Sequence, residues 1–595
     1  MVTQTITLGV TPATITYHAY AKTGSAPERD VSTEVSWSVA AKIATLAGGV
    51  ATLTGTGRKT PVTATLSGVS ASSPLTVKVT GDVFGAGTDP TTKAGFDGAV
   101  ADADVKAAPA LEYPEDGVVL PANLPPIEAQ WSQAADNASY RVRVQSADVL
   151  DVTFYTTARE LAFPAGAWST IALTTADAPS QMSVDGLGGG KLRAGAARAF
   201  TVAADTIDDS AIYVWQSSSG SFRVLDIIAG TDVPLPNAEP ALAAGQPCSG
   251  CHRISRDGKR FSYTYMGNGG TFQFGALIYD DKQGLYASKI APSPGFRATY
   301  ATFNPSEATE VPAMLLTSPD NVPQNTAGTV RLQLVNPDDG TPVMSNLAQA
   351  LSMIDPSVGH ATSMPDWSPD GTFVVFAAYD SDKNHVRLLG DDIVAASIVQ
   401  VPVAFDKTTG FTFGAPQTLV PVAAGASDTP DTGENNLLPT ISPDGAAVVF
   451  TRAAGWWSIK TQQSLINLSG QIAVVRRKDG QVLELHKGSN GPGTTLSSTW
   501  PQWAPSFGKR FGWLAYAAER PYGHRLTKAS PENAQCGLVQ GQQQCKHLWV
   551  TAIDLAKLGS GTDDPSAAPF FIPGQTLAAQ YVSPQWTHAV IKPPQ

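Results

Sequence analysis

Pro365-Asp366-Trp367-Ser368-Pro369-Asp370-Gly371, running on into Phe373-Val374-Val375-Phe376, decides how this chain is read. A strand ends at the tryptophan, Ser-Pro-Asp-Gly makes a tight turn, and a β-rich strand returns. Proline fixes φ in such a turn and glycine supplies the positive φ that closes it. The unit recurs as Pro439-Thr440-Ile441-Ser442-Pro443-Asp444-Gly445 leading into Val448-Val449-Phe450. Looser copies are Phe303-Asn304-Pro305-Ser306 with Met314-Leu315-Leu316, and Pro501-Gln502-Trp503-Ala504-Pro505 with Trp513-Leu514-Ala515-Tyr516. A fifth is Ile254-Ser255-Arg256-Asp257-Gly258 with Phe261-Ser262-Tyr263-Thr264-Tyr265, and Pro584-Gln585-Trp586 starts a sixth near the end. Each unit is a small antiparallel sheet whose faces need cover, so several must pack radially around an axis. The repeats predict a β-propeller of about six blades over 205–595. Ile212-Tyr213-Val214-Trp215 and Phe222-Arg223-Val224 are expected to share a blade with the C-terminal strand, which closes the ring.

Composition agrees with an all-β chain. Among 595 residues there are 54 glycines and 44 prolines, 42% are hydrophobic and only 15% charged. That balance suits short strands and tight turns over several domains. A net charge of −11 with no basic cluster excludes a nucleic-acid partner, which needs cations for phosphate. No run approaches the roughly 20 apolar residues of a transmembrane segment.

Before the propeller, residues 1–81 alternate with period two, as in Val35-Ser36-Trp37-Ser38-Val39 and Val62-Thr63-Ala64-Thr65-Leu66. The pieces Val10-Thr11-Pro12, Val31-Ser32-Thr33-Glu34-Val35-Ser36-Trp37, Ile43-Ala44-Thr45-Leu46 and Leu75-Thr76-Val77 resemble the bacterial Ig-like group 2 domain. That resemblance implies a spacer or adhesion module. Residues 82–109 lack periodicity and are expected to be a linker. Asp89, Asp97, Asp102 and Asp104 lie there without EF-hand spacing, as solvated linker residues. Residues 110–204 predict a second sandwich. Its Ile127-Glu128-Ala129-Gln130-Trp131 strand followed by Tyr140-Arg141-Val142-Arg143-Val144 resembles a fibronectin type III domain.

The chemistry is concentrated in Cys248-Ser249-Gly250-Cys251-His252. CxxCH is the attachment signature of a c-type haem: two thiols add to the vinyl groups and the histidine serves as proximal iron ligand. A disulfide or redox CxxC is the competing reading, with His252 at the surface. Zinc would require two further ligands, and no second CxxC or paired-histidine motif is present. Aligned on Asp-Gly, His252 falls where Pro365 and Pro439 fall, and Cys251 falls on Met364. Such positions ring one mouth of the channel, so a haem is expected over that mouth, among Tyr300, His360, Met364, Asn435, Asn436 and Trp500. Met364 and His360, and Met266 further down the blade that carries CxxCH, are the candidate distal ligands. A filled sixth position suits electron transfer, whereas an open one suits a haem enzyme.

Cys536 and Cys545 predict a disulfide stapling a hairpin loop. Asp428, Asp431 and Glu434 form an acidic loop read as solvated, and Trp456-Trp457 is read as packing between blades. No GxSxG, HExxH or Walker A string occurs.

The Ser-Pro-Asp-Gly units resemble the TolB-type (PD40) propeller repeat. Together with Thr499-Trp500-Pro501-Gln502-Trp503-Ala504-Pro505, Ala518-Glu519-Arg520-Pro521-Tyr522-Gly523 and Leu548-Trp549-Val550-Thr551-Ala552-Ile553-Asp554, they resemble an exported propeller family of myxobacterial type. Several of its members open the first blade on Cys-x-x-Cys-His-x-x-Ser-x-Asp-Gly. The resemblance implies export and a haem, with no settled activity. Met1-Val2-Thr3-Gln4-Thr5-Ile6 is not a signal peptide, and its absence is read as trimming. The expectation is thus an exported monohaem cytochrome on a propeller, serving an unknown redox partner protein. The alternatives are a cell-surface or periplasmic binding module for protein, peptide or glycan with a structural CxxCH, and a haem enzyme.

Overall fold

The computed structural model describes residues 2–10, 13–133, 135–237, 249–266, 272–293, 295–305, 311–319, 330–359, 361–379, 393, 395–422, 434–454, 469–490, 496–538 and 541–587. Contacts divide the chain into Met1–Thr206 and Ile207–Gln595.

In the first unit one strand, Val69–Phe84, runs 16 residues. It pairs antiparallel with Arg58–Leu66 and parallel with both Val2–Thr7 and Leu150–Thr156. One 11-stranded sheet therefore continues through both expected sandwiches. Trp131 and Tyr140 are buried together, their rings 5.3 Å apart. The 82–109 segment differs from a linker. Pro90–Gly98 is a helix, with Asp89 and Thr92 closing a capping box and proline in its first turn. Val100–Ala101 then pairs with Lys191–Ala194. Asp102 lies against Arg193 and Lys191, so the four aspartates do not converge on one point.

The second unit is a six-bladed β-propeller. Blade 1 is Ala211–Gln216, Ser221–Asp226 and Thr231–Pro234, with Tyr581–Trp586 as its inner strand. Blade 2 is Ser249–Ile254, Arg260–Met266, Phe272–Asp280 and Leu285–Ile290. Blade 3 is Ala301–Phe303, Met314–Pro319 and Val330–Val335. Blade 4 is Ala361–Trp367, Phe373–Tyr379 and Ser397–Asp406, edged by Gly410–Phe413 and Gln417–Val420. Blade 5 is Glu434–Ile441, Ala447–Ala454, Gln471–Arg476 and Val482–Glu484. Blade 6 is Thr499–Trp503, Phe511–Ala518, His547–Asp554 and Phe570–Phe571. Each inner strand packs on the next, and that of blade 6 packs on that of blade 1, so the ring closes. The pairing of the C-terminal strand with Ala211–Gln216 is the closure read from the sequence.

The turns show why Ser-x-Asp-Gly marks each blade. In blade 4 the Ser368 hydroxyl donates to Asp370 Oδ1 at 2.7 Å and accepts from Phe373 N–H at 3.0 Å, while Thr372 N–H donates to the same carboxylate oxygen at 3.0 Å. Gly371 takes φ 75°. Ser442 and Asp444 repeat the pattern in blade 5, and Ser255 and Asp257 in blade 2. The side chains thus satisfy the backbone donors that the turn leaves unpaired. The returning strand brings an apolar face to the next blade: Trp367, Val374 and Phe376 pack with Leu315, Leu332 and Leu334 between blades 3 and 4.

Candidate functional site at the channel mouth

Every inner strand except that of blade 3 shows a register irregularity against its partner. In four blades the residue before the proline is left-handed without being glycine: Met364 (φ 57°), Leu438 (54°), Trp500 (59°) and Ser583 (57°). Such conformations cost about 1–3 kcal/mol each and persist only where the surroundings enforce them. Three of these side chains, Met364, Leu438 and Trp500, meet Cys251 and Tyr300 in one buried apolar cluster. Tyr300 and Trp500 lie with ring centroids 6.1 Å apart. Tyr300, Met364, Leu438 and Trp500 also line a cavity of about 40 Å³, together with the prolines and with His252, Arg253, Thr440, Gln502 and Gln585.

The residue after the proline position forms a second ring, polar in every blade: Arg253, Thr302, Asp366, Thr440, Gln502 and Gln585. Asp366, 1% exposed, accepts a charged hydrogen bond from Arg253 and another, at 2.7 Å, from Ile441 N–H. Thr440 Oγ1 donates to the Pro501 carbonyl at 2.7 Å. These bonds stitch blades 2, 4, 5 and 6 across the axis. Sequence reasoning missed them, although polarity at one fixed repeat position was the available signal.

Of the motif residues, Cys251 belongs to the same buried apolar cluster as Met364. His252 borders the cavity at the mouth. It is 4% exposed and its imidazole packs between Phe222 (4.8 Å between centroids) and Phe261 (5.6 Å), in the interface of blades 1 and 2. Cys248 and His360 lie outside the described residues, as does the side chain of Met266. Asn435 and Asn436 are fully buried and committed: Asn435 bridges Ala396 N–H and the Ile393 carbonyl, and Asn436 accepts from Arg452. Asp428, Asp431, Trp456 and Trp457 fall outside the described residues, and Glu434 lies 3.8 Å from Arg452.

A thiol, a thioether sulfur and two aromatic rings share this buried cluster, and such sulfur donors suit the attachment and axial ligation of a c-type haem. The cavity, about 40 Å³, is of a size for a few waters. The His252 imidazole lies against Phe222 and Phe261 and also borders the cavity lined by Tyr300, Met364 and Trp500.

Blade 6 carries the Cys536–Cys545 disulfide expected from the sequence. It closes the loop between Phe511–Ala518 and His547–Asp554. Lys546 is fully buried behind it, donating to Thr499 Oγ1 at 2.9 Å. Burial brings its pKa down to about 7, and burial raises that of neighbouring Glu519. His547 is also fully buried, its ring nitrogens 3.2 Å from the Cys545 carbonyl oxygen and 3.1 Å from that of Thr576. Loss of hydration pushes its pKa down to about 4. Below its ordinary value near 6.5 the unfolded chain takes up a proton that the folded chain refuses. Stability is therefore complete above about pH 6.5 and is lost as pH falls toward 4, by about 3 kcal/mol in all at about 1.4 kcal/mol per pKa unit. Urea midpoints of wild type and His547→Gln at pH 7 and 5 check this: the variant should show the smaller pH dependence, and equal dependence refutes it.

No protein-family model matches the chain, and no curated protein matches it. Among solved structures it is similar to TolB from Acinetobacter baumannii, at 12% identity over 69% of this chain and 79% of that one, with a TM-score of 0.36. It is also similar to the periplasmic gluconolactonase of Pseudomonas aeruginosa, at 13% identity over 62% and 98%, with a TM-score of 0.28. The strand order and the closed inner ring define a six-bladed propeller. No helix among the described residues is long and apolar enough to cross a membrane.

Proposed function

We propose that this chain is an exported propeller bearing one covalent c-type haem over the channel mouth, and that it passes single electrons to a partner protein. The observation supporting this reading is the meeting of Cys251 and Met364 in one apolar patch with Tyr300 and Trp500. Cys251, with Cys248, would hold the haem through thioethers. Met364 is the described candidate for an axial sulfur, beside His360 and Met266. A bound haem supplies a one-electron redox couple, and a thioether ligand raises its potential. The surrounding apolar side chains keep water away from the sulfur.

The packing of His252 between Phe222 and Phe261 favours a second reading, a binding module in which CxxCH is structural. One preparation separates the two. The full chain is produced in a host with haem-attachment machinery, and its absorption spectrum and intact mass are recorded. The first reading expects a Soret band, a sharp reduced α-band without a carbon monoxide shift, and the mass of one haem. A colourless protein of unmodified mass sinks it and leaves the binding module. A carbon monoxide shift instead identifies an open iron and a haem enzyme. In a coloured protein, Met364→Ala should move the spectrum if Met364 is the axial ligand.

A further inference from the structure

The turn opening blade 2 departs from its repeat at one residue. Blades 4 and 5 have Ser368-Pro369-Asp370-Gly371 and Ser442-Pro443-Asp444-Gly445, whereas blade 2 has Ser255-Arg256-Asp257-Gly258. The hydrogen bonds of the turn are kept, so arginine is not needed to form it. Arg256 instead lines a recess of about 330 Å³ together with residues from blades 3 and 4. Among the described residues its guanidinium makes one hydrogen bond, Nη2 to the Trp367 carbonyl at 3.0 Å, and no ion pair. The neighbouring cations are matched: Arg253 lies on Asp366 and Arg260 on Asp338. Arg256 is thus a part-buried fork of donors that spends one bond on the protein; desolvation lowers its pKa, while the charges of Asp366 and Asp370 act the other way.

We propose that this recess binds a small organic monocarboxylate with an aromatic body. The charge follows from Arg256, because a guanidinium pairs with a carboxylate through two parallel hydrogen bonds. Its magnitude is set by Asp257 in the same lining, which disfavours a dianion such as phosphate. The body follows from the walls: Phe303, Pro305, Pro337 and Pro369 present apolar surface, and the volume suits a small ligand. The site is independent of the haem reading, since it uses none of the mouth cluster.

The test titrates the full chain calorimetrically with phenylacetate, with neutral phenylacetamide and with inorganic phosphate. Phenylacetate should bind one to one, and the amide at least about tenfold more weakly. Arg256→Pro restores the turn of blades 4 and 5 and should weaken phenylacetate by about tenfold to a hundredfold, the usual loss of a charged hydrogen-bonding partner. Arg256→Lys should fall between, because a point charge lacks the fork. If the proline variant misfolds by circular dichroism, Arg256→Gln replaces it with the same expectation. Absence of phenylacetate binding, equal binding by the variants, or tighter binding of phosphate overturns the proposal.

Discussion

Replacing Asp366 by alanine is expected to lower the stability of the propeller by about 3–5 kcal/mol, a large fraction of what a domain has. The side chain is 1% exposed and serves two blades besides its own. One carboxylate oxygen holds Arg253 of blade 2, and the other accepts Ile441 N–H of blade 5. Alanine leaves a guanidinium and an amide without their acceptor, close to the axis, where water reaches poorly. Asparagine can still accept from both, at lower strength, and should cost about 1–3 kcal/mol. The double variant Arg253→Met with Asp366→Leu should recover much of the loss, since buried ion pairs often tolerate replacement by apolar side chains of similar size. Urea unfolding followed by tryptophan fluorescence measures all three. A loss under about 1 kcal/mol for alanine would show that the stitch across the channel is not structural.

The contrast between what was legible and what was not follows the range of each interaction. Ser-x-Asp-Gly encodes its own geometry: serine, aspartate and glycine satisfy or shape a turn within six residues, so blade positions could be read locally. The repeat register aligned Cys251 with Met364, and the two share one buried cluster. It did not reveal where His252 points. CxxCH specifies residue types, whereas the Phe222 and Phe261 rings that hold the imidazole come from other strands, one of them in another blade. The helix over Pro90–Gly98 escaped for a different reason. It buries one side chain, Phe96, so hydrophobic periodicity carries little signal, and the local clues were the capping box at Asp89 and Thr92 and the proline at Pro90. Arg256 was visible as a departure from the repeat, but only the recess beside it gives the departure a meaning.

Truncating the chain after Gln580 should abolish the cooperative unfolding transition of the propeller. The lost strand, Tyr581–Trp586, is buried along its whole length and is the inner strand of blade 1. It pairs antiparallel with Ala211–Gln216, more than 360 residues earlier. Closure entropy grows only with the logarithm of that separation, so the long loop slows ring closure far more than it destabilises the closed ring. What truncation removes is larger. Burying Tyr581, Val582 and Trp586 contributes roughly 1.5–3 kcal/mol per side chain. Specific bonds go as well: Gln216 donates to the Tyr581 hydroxyl at 3.0 Å, that hydroxyl donates to Asp232, and Trp586 Nε1 donates to Ser210 at 3.1 Å. The exposed edge of Ala211–Gln216 then invites pairing between chains. Trp586→Ala keeps the strand and should cost about 3–5 kcal/mol, as for a large core side chain. Near-ultraviolet circular dichroism and urea titration distinguish the cases. If the truncated chain keeps a sharp transition within about 1 kcal/mol of wild type, the C-terminal strand does not close this ring.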